Sequence, residues 1–308
     1  MSDITKKGRA NDWFAPLKKN AMFRLKRETA VRVLSIAAFL LAAAISFGFG
    51  GYAELHRVKN GVKLPVAADE IDRANGKVAR IALLIGNGHY PDAETPLTQP
   101  INDARALSPA LRLAGFYVIA VEDAKKVELD AAIERLKSKM KHNATVVLFY
   151  GGYGIQVDRE NFMIPVDAKI WRESDVERDG IGIEPLLSEL NQAGGGAEIV
   201  VIDASRRNPF ERRFREYSHG LAPIDAPDNA LVVTSELPDQ IAYDSSDRNS
   251  VLVSELLKKL SAPGGSTDAI FNDALLDVAR KSHGEQVPTV SSSLTDDVNL
   301  GAPGRDQR

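Results

Sequence analysis

A chain of 308 residues, 44% apolar and 26% charged, can bury a sizeable core as one large domain or two small ones. Its net charge of -3 offers no general attraction for nucleic acid, and zinc-finger spacings, phosphate loops and base-stacking motifs are absent, so nucleic acid is not an expected partner. With no cysteine anywhere, disulfides and thiolate metal sites are excluded, while oxidising and reducing compartments both stay open.

Residues 1–32 are basic, with Lys6, Lys7, Arg9, Lys18, Lys19, Arg24, Lys26, Arg27 and Arg32. An uncharged run rich in Ala, Leu, Ile and Phe follows from Val33 to Ala53. Its roughly twenty residues are long enough to cross a hydrocarbon layer about 30 Å thick, which predicts a transmembrane anchor over 33–53. A cleaved signal peptide is the rival. It would have a shorter apolar region and a small-x-small site, whereas this run ends in Gly48-Phe49-Gly50-Gly51-Tyr52-Ala53-Glu54. Fewer basic residues follow the run, namely Arg57, Lys59, Lys63 and Arg73. The positive-inside rule then predicts a cytoplasmic N-terminus, a single pass through the inner membrane and a large domain on the periplasmic side.

Residues 54–77 are charged and poor in large apolar groups, as suits a spacer. Beyond them strand and helix patterns alternate. Strands are expected over 80–86, 116–121, 144–150, 197–202 and 230–235. Helices are expected over 102–114, 126–141, 183–193, 249–261 and 268–282, with stops at Gly115, Gly194-Gly195-Gly196 and Pro263-Gly264-Gly265. This alternation predicts an α/β domain, a mostly parallel sheet with helices on both faces. The tail at 301–308 reads as disordered.

Two segments carry most of the functional signal. Val146-Val147-Leu148-Phe149-Tyr150-Gly151-Gly152-Tyr153-Gly154 and Ile199-Val200-Val201-Ile202-Asp203-Ala204-Ser205-Arg206-Arg207-Asn208-Pro209-Phe210 are apolar runs that end abruptly in small or polar residues. Each reads as a buried parallel strand delivering a loop to one edge of the sheet. The first resembles the Phe-Tyr-x-Gly-His-Gly signature of the caspase, metacaspase and bacterial orthocaspase peptidases, and the second resembles their Asp-Ala-Cys-Arg-x-Asn-Pro-Phe signature. The likeness extends to Ile81–Asn87 with Tyr90, to Leu97-Thr98-Gln99-Pro100-Ile101-Asn102-Asp103-Ala104, to the hairpin segment Asn161–Ala168, to Gly220-Leu221-Ala222 and to Gln286-Val287-Pro288. It covers roughly 78–300 in order and implies a caspase-like three-layer α/β/α sandwich.

In both signatures the reactive residue is replaced. Tyr153 stands where the family has its catalytic His, and Ser205 stands where it has its nucleophilic Cys. A Tyr with a pKa near 10 is ionised to only about one part in a thousand at pH 7, and a Ser hydroxyl is a weak nucleophile without an adjacent base. Of the remaining histidines His89 is the best placed to act as that base, giving a serine-hydrolase rival with Ser205, although a solvated loop histidine needs no function.

The resemblance implies that Gly154 and the Ser205 amide donate to an oxyanion, and that Gly151 leaves room for substrate. Glycines in this stretch equally suit a plain tight turn. It also implies that Asp103 and Asp203 line a pocket for an Arg or Lys side chain, and two carboxylates suit a guanidinium physically. Each has a simpler reading, Asp103 as a cap of the helix at 102–114 and Asp203 as a strand end. Arg206, Arg207, Arg212, Arg213 and Arg215 read first as a solvated loop and second as a contact for an acidic partner. Asp158, Glu160 and Asp167 lack an EF-hand pattern, so neither metal nor cofactor is expected. The reading that results is a membrane-anchored pseudo-peptidase that binds a basic polypeptide or a partner protein. Its rivals are an active hydrolase of the same fold and a scaffold with a vestigial groove.

Overall fold

The apolar, β-branched runs become strands of one sheet because their side chains are buried on both faces, and lateral pairing satisfies the backbone polar groups they bury. The structure, a computed structural model, describes residues 71–72, 76–207, 209–210, 220–242, 246–261, 266–295, 298 and 300. The basic segment 1–32, the apolar run 33–53, most of the spacer 54–77 and the tail 301–308 lie outside the described residues. Among those described, no helix is long and apolar enough to cross a membrane.

In chain order the first elements are β1 (Ile71–Asp72), β2 (Lys77–Gly86), α1 (Gln99–Leu113), β3 (Tyr117–Glu122), α2 (Lys126–Lys139) and β4 (Met140–Gly151). A hairpin of β5 (Gly154–Val157) and β6 (Glu160–Met163) follows, then α3 (Glu173–Asp179), β7 (Ile181–Gly182) and α4 (Ile183–Gln192). The last are β8 (Gly195–Asp203), β9 (Ala230–Thr234), α5 (Val251–Leu260), α6 (Thr267–Lys281) and β10 (Thr289–Ser292). The main sheet runs β3, β2, β4, β8, β9, β10, and β1 also pairs with β2. Neighbours from β3 through β9 are parallel, while β10 closes its edge antiparallel to β9. Strands β5, β6 and β7 form a small separate antiparallel sheet.

Alternating side chains feed two cores. Ile81, Leu83, Ile85, Leu148, Val200 and Ile202 pack under α2 and α4, which contribute Leu129, Ile133, Leu136, Leu186 and Leu190. Leu84, Val147, Phe149, Ile199 and Val201 pack on the opposite face under α1, α5 and α6, with Leu107, Leu256, Phe271 and Val278. The expected α/β/α sandwich is thus the observed one.

Differences from the sequence reading are local. The helix expected to 141 stops at Lys139, because Met140 adopts extended backbone and begins β4 as a buried residue. Helix α3 and strand β10 fall outside the expected elements. One is a charged seven-residue helix and the other a four-residue edge strand of alternating exposure, both too short for a clear apolar period.

Candidate functional site

The parallel register lines up three strand ends. Gly86 of β2 pairs with Gly151 of β4, and Gly151 pairs with Asp203 of β8, so the loops after these strands leave the sheet side by side. Helix α1 begins directly over this row, with Pro100 in its first turn. A Cβ on Gly86 would stand 2.5 Å from the Pro100 carbonyl oxygen, so only glycine lets the helix start so close to β2. Gly151 is crowded by the same proline, its would-be Cβ lying 3.0 Å from Pro100 Cβ.

Tyr153 is a core residue. It is 8% exposed and joins a cluster with Tyr90, Leu97, Ile155, Phe162, Ile164 and Phe210 beside the β5–β6 hairpin. Its backbone is fixed as firmly as its ring. The Tyr153 N–H donates to Tyr90 Oη at 3.2 Å, and its carbonyl accepts from Tyr150 Oη at 2.7 Å and from Ile164 N at 3.1 Å. Burial, set against hydrogen bonding and the nearby Arg206 charge, pushes the Tyr90 phenol up to about 12, and burial also raises Tyr150 well above its ordinary value. These hydroxyls are therefore structural donors and acceptors rather than bases.

Ser205 is 1% exposed, and its Oγ has no hydrogen-bond partner. Its carbonyl accepts from Ala242 N at 2.7 Å, which holds the chain after β9 against it. The Gly154 N–H, expected to serve an oxyanion, donates to the Ala204 carbonyl at 3.0 Å. A Cβ on Gly154 would meet Leu221 at 2.7 Å. The Ser205 hydroxyl is closed over and its surroundings are already bonded to one another.

Asp103 and Asp203 do converge. Asp103 is 0% and Asp203 2% exposed. Asp103 does not cap its own helix, whose N-cap is Thr98, but holds the start of α5: Oδ1 accepts from Asn249 Nδ2 at 2.7 Å and from the N–H of Ser250 at 3.1 Å, and Ser250 in turn caps α5 through its hydroxyl. Burial, followed by the charge of Asp203, pushes its carboxyl up to about 7, despite these bonds. Asp203 stands 3.5 Å from Arg206 Nη1 through Oδ1, while its Oδ2 has no hydrogen-bond partner.

The profile of the caspase domain family matches residues 79–299. The chain belongs to the caspase domain family. Human mucosa-associated lymphoid tissue lymphoma translocation protein 1 is 26% identical over 133 residues, and the mouse homolog matches over the same extent. That stretch is 43% of this chain and 16% of each relative, so the chain spans well under a fifth of the length of these proteins. Caspase-1 from Spodoptera frugiperda matches with a TM-score of 0.52 at 16% identity, over 74% of this chain and 92% of that structure. The Drosophila initiator caspase Dronc matches with a TM-score of 0.53 at 10% identity, over 76% and 86%. At these identities the likeness to both structures is one of fold.

Within this caspase domain His89 is engaged away from Ser205. Its Nδ1 lies 2.6 Å from Asp123 Oδ2, and Asp123 Oδ1 also accepts the N–H groups of Gly88 and His89 at 2.8 Å each. Burial alone would raise the Asp123 carboxyl, but these bonds outweigh it and hold the group below its ordinary value. Asp123 follows β3, on the side of β2 opposite to β4 and β8. With β4 between them, β2 and β8 are about 10 Å apart, and the imidazole is drawn further outward.

Arg206 is the residue that sequence reasoning missed. Read as part of a solvated basic loop, it is instead 5% exposed in the caspase domain. Its guanidinium donates to the carbonyls of Gly152, at 3.1 Å, and Asp203, tying the loop after β4 to the loop after β8. The available signal was position: it directly follows a buried strand end, whereas Arg207 is exposed and Arg212, Arg213 and Arg215 lie outside the described residues. Among the described residues no group of three or more His, Asp or Glu side chains is placed to share a metal ion.

Proposed function

We propose that this protein is a membrane-anchored, non-cutting member of the caspase domain family that acts by binding a polypeptide or partner protein. The observation that carries the reading is the Ser205 hydroxyl, buried and without a hydrogen-bond partner. Attack by a serine requires a base within hydrogen-bond reach of the hydroxyl. Removing one member of such a catalytic unit costs on the order of a million-fold in turnover, and here both family positions are replaced. The paired carboxyls of Asp103 and Asp203 favour a guest with a guanidinium or ammonium group.

The test is cleavage of peptides with Arg, Lys or Asp before the scissile bond by the full chain in detergent, with and without calcium. No turnover above a Ser205→Ala control is expected; clear turnover above it replaces this reading with that of a serine hydrolase. The proposed membrane placement rests on the uncharged run from Val33 to Ala53 and the basic excess before it. Protease added to intact spheroplasts should digest the caspase domain, and full protection there would put it on the cytoplasmic side.

A further inference from the structure

We propose that Asp103 and Asp203 form a proton-for-cation exchange site, in which the cationic side chain of a bound polypeptide takes the place of a proton on Asp103. This rests on the basic-guest reading above and adds how the site is controlled. Two carboxyls are shut away from solvent within electrostatic reach of each other, and among the described residues the cation paired with Asp203 is Arg206. Two ionised carboxylates beside a single buried guanidinium leave one negative charge uncompensated, which a low-dielectric site disfavours. Protonating one carboxyl removes the excess. A guest cation removes it equally well.

The hydrogen bonds indicate which carboxyl holds the proton. Asp203 keeps its ion pair with Arg206, whereas Asp103 receives only neutral donors, from Asn249 and Ser250. Among the described residues, other charged groups on the surrounding elements include Glu236 after β9, Asp247 and Arg248 ahead of α5, and Arg105 on α1 itself, which is taken by Glu122 at 2.6 Å. Further along lie Arg112 of α1 and Glu255, Lys258 and Lys259 of α5, the last three in ion pairs of their own. Burial first and the charge of Asp203 second move the Asp103 carboxyl into the physiological range, to about 7. The free Oδ2 of Asp203 is the acceptor still open to the guest. Because Asn249 and Ser250 seal Asp103, an entering side chain must also part the start of α5 from α1.

The experiment is calorimetric titration of the full chain with a peptide ending in argininamide, and with its neutral citrulline counterpart, from pH 5.5 to pH 8.5 in buffers of differing ionisation enthalpy. An Asp103 pKa of about 7 predicts about a tenfold gain in affinity between pH 6 and pH 8. Close to one proton should leave per peptide at pH 6 and almost none at pH 8. Asp103→Asn, which keeps an acceptor for the Ser250 N–H, should bind more weakly, with no pH dependence and no proton release. Asp203→Asn should weaken binding and move the midpoint to lower pH, by removing the charge that raises Asp103. Arginine-selective binding that is flat with pH, or a tenfold gain that persists in Asp103→Asn, overturns the exchange while leaving the basic-guest reading in place. No binding at any pH, or equal binding of the citrulline peptide, overturns both.

Discussion

The ring of Tyr153 meets the ring of Tyr90 edge-on, with centroids 4.7 Å apart and planes at 67°. This is a favoured arrangement for buried aromatic pairs, and it makes Tyr153 part of the core. Tyr153→Ala should therefore destabilise the domain by about 3–5 kcal/mol in urea unfolding, as truncation of a buried aromatic does, while Tyr153→Phe should cost far less. A loss below about 1 kcal/mol in the alanine variant would show that Tyr153 is not holding this cluster together. A histidine introduced there would be surrounded by Leu97, Ile155 and Phe162, so restoring the family residue alone does not restore its environment.

Burial of Ser205 has its own direct readout. The chain contains no cysteine, so Ser205→Cys installs a single thiol. At 1% exposure that thiol should react with iodoacetamide at least a hundredfold more slowly than the thiol of Leu113→Cys, whose parent residue is 72% exposed. The difference should vanish in urea. Comparable rates in the native protein would mean that the loop closed by Ala242 opens readily and that the nucleophile position is accessible.

The strands at the heart of this fold were legible in the sequence because burial on both faces writes itself as continuous apolar runs, as in 144–150 and 197–202. The loop residues Tyr153 and Ser205 stood out because they follow the ends of those runs. What surrounds them did not. The hold of Asp103 on the start of α5 depends on a contact with Ser250, 147 residues away, and no local pattern announces such a pairing. Arg206 was misread for a related reason: an arginine among arginines looks solvated, and the closing of Gly152 over the end of β8, which gives it buried acceptors, leaves no local trace in the sequence. Element boundaries failed where tertiary packing overrides period, as at Met140, which leaves a helical pattern to start β4.

Glu198 provides a test in the pH dependence of stability. It lies in β8 between Val146 of β4 and Ala230 of β9, is 1% exposed, and neither of its carboxyl oxygens has a hydrogen-bond partner. Burial pushes its carboxyl up to about 7. The folded state then binds more protons than the unfolded state between pH 4.5 and pH 7, so the stability Glu198 contributes is complete below pH 4.5 and is lost as pH rises to about 7. Asp103, also raised to about 7, acts in the same direction. The wild-type urea midpoint should fall from pH 5 to pH 8, each such group contributing at most about 1.4 kcal/mol per pH unit. Glu198→Gln cannot ionise, so its profile should be shallower and the variant should gain on the wild type as pH rises to about 7, then hold that gain. Parallel profiles for the two proteins would mean that Glu198 is solvated or paired in solution and that its burial contributes nothing to the pH response.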